Sequence, residues 1–339
     1  MAVQPQRVSA SRDPNLSARV VRRRPLSYTE GPDPTEDRAP HVRSGSGLAW
    51  VGESLAVVQD DANFVALVEP RGDTVRAISL PRGAGGLRVF DDERGNKKHK
   101  LDLETCFSTT VDGDWVLMAF GSGSTRAREQ VLEVRFPVGG AHPEVELHHA
   151  PAFYESLRNH TEFSGSELNV EGVTTIPDGG LRLFQRGNGA PRGELQPVDA
   201  TAEVSGSLLF EHLQGSGPPP PIQNVVRYDL GTLGKVRLTF TDAIDIGEGR
   251  ALFLATAEDS PDAIRDGAVL GSVIGLLNPL KPPRWAPLCN AQGEPLAVKG
   301  EGIVVSRTEP SRVFVVLDSD SPGTAAELMD VELLGPWRG

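Results

Sequence analysis

The sequence predicts an all-β fold, a β-propeller of five four-stranded blades closed by an N-terminal strand. Three observations support this: a turn-rich composition, a unit that recurs along the chain, and strands whose polarity depends on their place in that unit. Gly (37) and Pro (27) make up about a fifth of the 339 residues while aromatic residues are 6%, a balance suited to many short strands joined by turns. Six blades is a variant of the same fold, and a pair of β-sandwiches is the alternative architecture.

The chain opens on "MAVQPQRVSASRDPNLSARVVRRRP", which lacks the apolar core of a secretory signal, and no window approaches 18 consecutive apolar residues. A cytoplasmic protein is expected, with residues 1–17 flexible and 18–339 forming one propeller domain. Ala18 to Arg24 is assigned as the strand that completes the last blade, and Arg22, Arg23 and Arg24 as charges that keep an edge from pairing with other chains.

The repeat begins at Ser44. "SGSGLAWVGESLAVVQDDAN", "LDLETCFSTTVDGDWVLMAFGSGS", "LNVEGVTTIPDGGLRLFQRGNG", "FTDAIDIGEGRALFLATAEDS" and "VKGEGIVVSRTEPSRVFVVLDSD" each read as a short strand, a turn, an apolar strand and a small polar cluster. They recur at intervals of roughly 60 to 70 residues, which is the signature of a repeat architecture. The second strands (55–58, 115–120, 181–184, 251–255 and 313–317) are almost wholly apolar, as expected where both faces of a sheet are covered. The later segments 145–148 and 236–240 alternate, as half-exposed edge strands do. The fifth unit offers only three strands, 301–306, 312–317 and 326–334, so residues 18–24 supply the fourth.

Three stretches are set aside as insertions: 82–100, 150–163 with a short helix, and 190–221, whose Pro run reads as an extended spacer. Cys106 and Cys289 are too few for a disulfide framework or a Cys-rich zinc site and read as small buried hydrophobes.

The segments "KLDLETC", "ELNVEG", "QRGNG", "ATAEDSPDAIRDG" and "KGEGIVV" resemble a group of uncharacterised bacterial β-propellers. That group is similar in style to the phytase-associated esterase-like propellers and, more distantly, to gluconolactonase-type propellers. The resemblance covers nearly the whole chain after residue 44 and implies the fold. Through the lactonase-type members it also implies a divalent metal in the central channel, held by carboxylates and Asn.

Blade geometry locates the chemistry. The start of a first strand and the end of the second lie at one end of an antiparallel pair, so one mouth of the channel should gather the recurring acids Glu104, Glu171, Asp242 and Glu301, with Ser46 in the first unit. Asp60, Asp61, Ser122, Ser124, Arg186, Asn188, Glu258, Asp259, Asp318 and Asp320 should join them. Crowded carboxylates must be solvated, protonated, paired or metal-bound, and Arg186, Lys299 and Lys100 are the nearest pairing partners. Glu104, Glu171, Asp242 and Glu301 are the candidate ligands for Ca²⁺ or another divalent cation. Glu104, Asn188, Glu258, Asp259 and Lys299 are candidates for ligand contact. Turn chemistry and backbone capping are the structural explanation of the same residues.

A formal charge of −12 argues against a nucleic-acid partner; no membrane association is expected, and a monomer is. There is no G-x-S-x-G, H-E-x-x-H, Walker A or dinucleotide-binding signature. "FGSGSTR" could hold an anion beside Arg126 or Arg128, and His148-His149 reads as a solvent-facing pair. Two functions fit. One is a propeller that binds a small ligand or protein at an acidic mouth. The other is a divalent-metal-assisted hydrolase of an ester, lactone or phosphoester, with Glu171 as base and Arg186 facing developing negative charge.

Overall fold

The computed structural model describes residues 6–259 and 267–337, and antiparallel strands are their dominant regular structure. The chain enters through β1 (Gln6–Ser9), β2 (Ser11–Arg12) and β3 (Ser17–Pro25). Four-stranded meanders follow. The first is β4 (Gly45–Val51), β5 (Ser54–Gln59), β6 (Phe64–Val68) and β7 (Val75–Ser79). The second is β8 (Leu103–Val111), β9 (Asp114–Gly121), β10 (Gln130–Phe136) and β11 (Glu144–His149).

Two short helices, α1 (Pro151–Asn159) and α2 (Thr161–Ser164), lead into the third meander. It consists of β12 (Val170–Ile176), β13 (Gly180–Gln185), β14 (Asp199–Ser205) and β15 (Gln223–Asp229), with α3 (Gly206–Leu213) between its last two strands. After the short β16 (Thr232–Leu233) comes the fourth, with β17 (Val236–Gly247), β18 (Arg250–Asp259), β19 (Ala268–Asn278) and β20 (Lys281–Cys289). The last three strands are β21 (Lys299–Val305), β22 (Arg312–Asp318) and β23 (Glu327–Leu334), and β3 pairs antiparallel with β23 as their fourth.

Apolar second strands follow from how the sheets stack. Between the first and second sheets lie Ala49, Ala56, Cys106 and Leu117, and between the second and third Phe107, Met118, Val173 and Leu183. Phe184, Phe240 and Phe253 fill the next interface. Leu254, Ile274, Ile303 and Val315 fill the one after, and Val316 and Phe314 meet Leu48 and Val57 to bring the fifth sheet against the first. Each sheet is therefore apolar on both faces, which is why β5, β9, β13, β18 and β22 carry nearly unbroken hydrophobic runs. The first strands pack side by side in the order β4, β8, β12, β17, β21, and β21 returns to β4. The approach is close. A Cβ at Gly302 would lie 2.9 Å from the Leu48 nitrogen, and one at Gly47 would lie 3.0 Å from the Cys106 nitrogen.

Several expectations need correction. Of the segment 1–17, residues 1–5 lie outside the described residues, and residues 6–9 and 11–12 are strand rather than flexible: β1 pairs in parallel with β15, and β2 with β20. The fourth and fifth sheets are not separate, because β20 also pairs in parallel with β3, Leu288 opposite Ala18 and Cys289 opposite Arg19. Residues 236–240 belong to the first strand of the fourth sheet rather than an outer one. Their polarity marks the end of β17 that runs out to pair with β16. Residues 199–205, counted within an insertion, are the third strand of the third sheet.

The N-terminal strand sets the first prediction. Ala18 and Leu16 are buried, and removing residues 1–25 bares both the β23 edge and the β20 edge, which invites pairing with other chains. A chain starting at residue 26 should melt lower by roughly 10 °C or more and should self-associate, as differential scanning calorimetry and size-exclusion chromatography would record.

Candidate functional site

One extra residue sits in the first strand of every sheet. The pairing register steps over Ser46 in β4, Glu104 in β8, Glu171 in β12, Thr241 in β17 and Glu301 in β21. A β-bulge leaves its extra residue without a cross-strand partner and re-aims its side chain. Here the two hydroxyl residues turn to the next sheet: Ser46 Oγ donates to the Leu103 carbonyl, and Thr241 Oγ1 to the Gly300 carbonyl at 2.6 Å. The three glutamates turn into a cavity of about 240 Å³ at the strand ends.

Charge dominates this cavity. Twelve carboxylates (Asp60, Asp61, Asp91, Asp92, Glu93, Asp102, Glu104, Glu171, Glu258, Glu301, Asp318 and Asp320) line it, and cations are paired with them, Lys97 with the outer Asp92 at 3.1 Å among them. Arg43 bonds Asp61 (2.6 Å) and Asp91 (3.0 Å). Lys100 Nζ lies 2.6 Å from both Asp60 and Asp102, and Arg128 lies 2.9 Å from Asp102. Lys299 reaches Asp320 (2.9 Å) and Glu301 (3.3 Å). Arg186 is surrounded, with Glu258 at 2.7 Å, Glu171 at 3.3 Å and Glu301 at 3.9 Å.

The pairing is incomplete. Glu171 and Glu301 are each 3% exposed, yet Oε2 of both has no hydrogen-bond partner among the described residues. Burial raises the Glu171 carboxyl against the opposing pull of Arg186 and Lys299. Burial also lifts Glu301 well above the ordinary range, although Lys299 and Arg186 oppose it. Glu104 is lifted well above it too, by burial and by the charges of Asp102, Glu171 and Asp60. Burial and the neighbouring Asp60 push Asp61 up to about 6. Asp102 goes the other way: burial works against its charge, but Lys100 and Arg128 outweigh it and hold the carboxyl low.

Of the residues expected at the mouth, Glu104, Glu171, Glu301, Arg186, Asn188, Glu258, Lys299, Asp60, Asp61, Asp318 and Asp320 line the cavity together. Asp242 does not. The bulge residue of the fourth sheet is Thr241, and a slip of one residue sends a strand side chain to the other side. Asp242 instead lies buried, accepting from Thr105 Oγ1 (3.0 Å) and the Ile303 N–H (2.8 Å), and so ties three sheets together. Asp259 is exposed at the end of β18 and does not line the cavity. Ser122 caps Asp102, and Ser124 accepts from Arg128 at 2.8 Å, so the Gly-Ser loop spends its donors and its arginine inside the protein rather than on an anion.

Sequence reasoning missed Asp102, Asn169, Arg43 and Asp91. Asn169 Nδ2 donates to Glu171 Oε1 (2.7 Å) and to Asn188 Oδ1 (3.2 Å), which orients the glutamate. A signal was present: the residue two before each bulge is polar in every unit, as Ser44, Asp102, Asn169, Thr239 and Lys299. Period-2 spacing puts it on the same side as the bulge residue's neighbourhood, one layer nearer the opening.

Comparison with protein families matches residues 41–333 to a family described as "Family of unknown function (DUF6929)". Comparison with curated proteins finds no match. Among solved structures, a GH43 β-1,3-galactosidase is similar at a TM-score of 0.49 and 8% identity over 91% of this chain, which spans only 58% of that one. A GH43_1 enzyme from Xanthomonas citri is similar at 0.45 and 11% identity, over 92% of this chain and 90% of the other. A luciferin-regenerating enzyme is similar at 0.42 and 10% identity, over 87% and 94%.

Two outcomes follow from the buried acids. A carboxyl held above its ordinary value binds its proton more tightly folded than unfolded. Stability therefore falls as pH rises from the unfolded value, about 4.3 for Glu, through the folded one. Glu104→Gln should accordingly raise the melting temperature at pH 8 and leave it nearly unchanged at pH 4, and melting curves across that range test the sign. Asp242→Ala strands donors from Thr105 and Ile303 and should cost roughly 2–4 kcal/mol in urea unfolding, without altering binding at the mouth.

Proposed function

The chain belongs to the DUF6929 family across residues 41–333, and from its own geometry we propose that it is a five-bladed propeller whose acidic mouth binds a small cationic ligand. The observation that carries this reading is the pair of buried oxygens without a hydrogen-bond partner among the described residues, Glu171 Oε2 and Glu301 Oε2, in a cavity lined by twelve carboxylates and by five cations (Lys97, Lys100, Arg128, Arg186 and Lys299). A buried acceptor without a donor costs about 1–3 kcal/mol, and more when charged. A ligand that supplies positive charge or N–H donors offsets that cost and reduces the mutual repulsion of Glu104, Glu171 and Glu301, which adds to the burial that raises them.

A hard divalent cation such as Ca²⁺ matches an all-oxygen set, with Asp60, Asp102 and Glu104 able to bring oxygens within 4.8 Å of one another. Lys100 already holds two of those three acids, so a metal there would compete with its ammonium group. An alkylammonium ligand meets the same oxygens through N–H donors. Arg186 is spent on three glutamates, which assigns it the role of internal counter-charge and positions Glu171.

The hydrolytic reading rests on a different observation. Glu104 is lifted well above the ordinary carboxylate range by burial and by the charges of Asp102, Glu171 and Asp60, the direction required of a general acid, while Glu171, also raised by burial, has Arg186 and Lys299 favouring its charged form. Carboxyls with such divided environments serve as acid and base in hydrolases.

Isothermal titration calorimetry of the full chain with CaCl₂ and, separately, with a short alkyl diamine tests the binding reading. One of the two probes should bind, and a probe present at about a hundred times its Kd should add roughly 2.7 kcal/mol of stability. Glu301→Gln, which keeps the shape but removes the charge, should weaken that binding at least tenfold. Binding of neither probe at millimolar concentration, or binding indifferent to Glu301→Gln, overturns the reading.

A further inference from the structure

Away from the mouth, on the outer hairpin of the second sheet, three side chains converge that neither the fold nor the proposed function uses. Glu133 of β10 and Glu146 of β11 stand directly opposite each other in the register. Like charges placed so are destabilising. The guanidinium of Arg135 comes no nearer to Glu133 than 4.0 Å and is turned to Asp114 at 3.3 Å.

His148, two residues along β11 from Glu146, faces the same side. It is not the solvent-facing ring that an alternating outer strand suggests. It is 8% exposed, and its Nε2 has no hydrogen-bond partner among the described residues. That nitrogen lies 3.5 Å from Glu133 Oε2, while Nδ1 lies 3.7 Å from Glu146 Oε1. All three residues can offer a ligand atom within 4.8 Å of the others.

We propose that Glu133, Glu146 and His148 form a binding site for a divalent transition metal of the zinc class. Several physical features agree on this. Ligand atoms on a tetrahedron with arms of about 2.1 Å lie roughly 3.4 Å apart, close to the Nε2–Oε2 separation and too long for a hydrogen bond between the same atoms. A cation between Glu133 and Glu146 removes the repulsion of the facing pair. An imidazole with two carboxylates favours Zn²⁺, Co²⁺ or Mn²⁺ over the hard cations Ca²⁺ and Mg²⁺, so the site differs in kind from the all-oxygen mouth.

The elements also suit the task. His148 is fixed by burial and Glu133 is 21% exposed on a paired strand, while Glu146 is 71% exposed and can swing to close on an ion. His149, whose ring points to the opposite side of the strand and meets Gln130 at 3.0 Å, takes no part. Three protein ligands leave a coordination position toward solvent.

The test is calorimetric titration of the full chain with ZnCl₂ at pH 7.5, paired with long-range ¹H–¹⁵N spectra of the imidazoles. Zinc should bind, and the His148 ring nitrogens should shift on addition. Glu146→Gln, an exposed substitution that leaves folding intact, should weaken binding about tenfold or more, as loss of a metal-site partner does. Glu133→Gln should do the same, and His148→Ala should abolish it. Because zinc could also enter the mouth, Glu301→Gln serves as the control and should leave the zinc-induced His148 imidazole shift unchanged. Absence of binding at millimolar zinc, an unmoved His148 signal, or an affinity indifferent to Glu146→Gln and His148→Ala overturns the proposal.

Discussion

The mouth depends on one extra residue per sheet. Without the bulge, the side chains of β4, β8, β12, β17 and β21 would alternate strictly between the two faces of their sheets, and both faces are filled by apolar interfaces. The bulge frees one residue in each first strand from that alternation. What occupies the freed position decides what it does: a hydroxyl reaches the carbonyl of the adjacent sheet, and a glutamate is too long for that and enters the cavity. Two ties and three acids therefore come from a single backbone device.

The charges around those acids are arranged as a chain of shared counter-ions. Arg186, Lys100 and Lys299 each serve more than one carboxylate. Buried ion pairs contribute little net stability because desolvation consumes the attraction, but taking one partner away leaves an uncompensated charge and is costly. The network thus fixes the geometry of the mouth more than it strengthens the fold. Its remaining acid excess is a property maintained at the expense of stability, which is where functional sites commonly stand.

Much of this was legible in the sequence because the repeat aligns equivalent backbone positions. Glu171 and Glu301 could be matched by the glycine that follows them, in "VEG" and "GEG", and Glu104 by its place in the first strand of its unit; Arg186, Asn188 and Lys299 followed from strand ends. The fourth unit failed for a physical reason. Thr241 and Asp242 are adjacent polar residues in "FTDA", and the carboxylate drew the alignment one place too far, although a bulge position tolerates a hydroxyl as readily as an acid. Asp102 and Asn169 were passed over because a lone polar residue beside a strand looks like a turn; only their recurrence at the same offset separates them. Residues 199–205 hid because "DATAEVS" alternates weakly and lies next to a helix, and residues 6–12 because short edge strands carry almost no apolar signal of their own. His148 escaped because burial on an outer strand is decided by what packs against it, which its own strand pattern does not carry.

The strand β3 meets its partner at the far end of the chain: Val20 lies opposite Val331. On a ribosome the first of these emerges roughly fifteen seconds or more before the second, at the about 5–20 residues per second of synthesis. Throughout that interval β3 has no antiparallel neighbour, and the three arginines Arg22, Arg23 and Arg24 keep the waiting segment soluble. The last sheet consequently assembles only once β23 has emerged, and its pairing with β3 is a late and strongly non-local event, of the kind that slows folding.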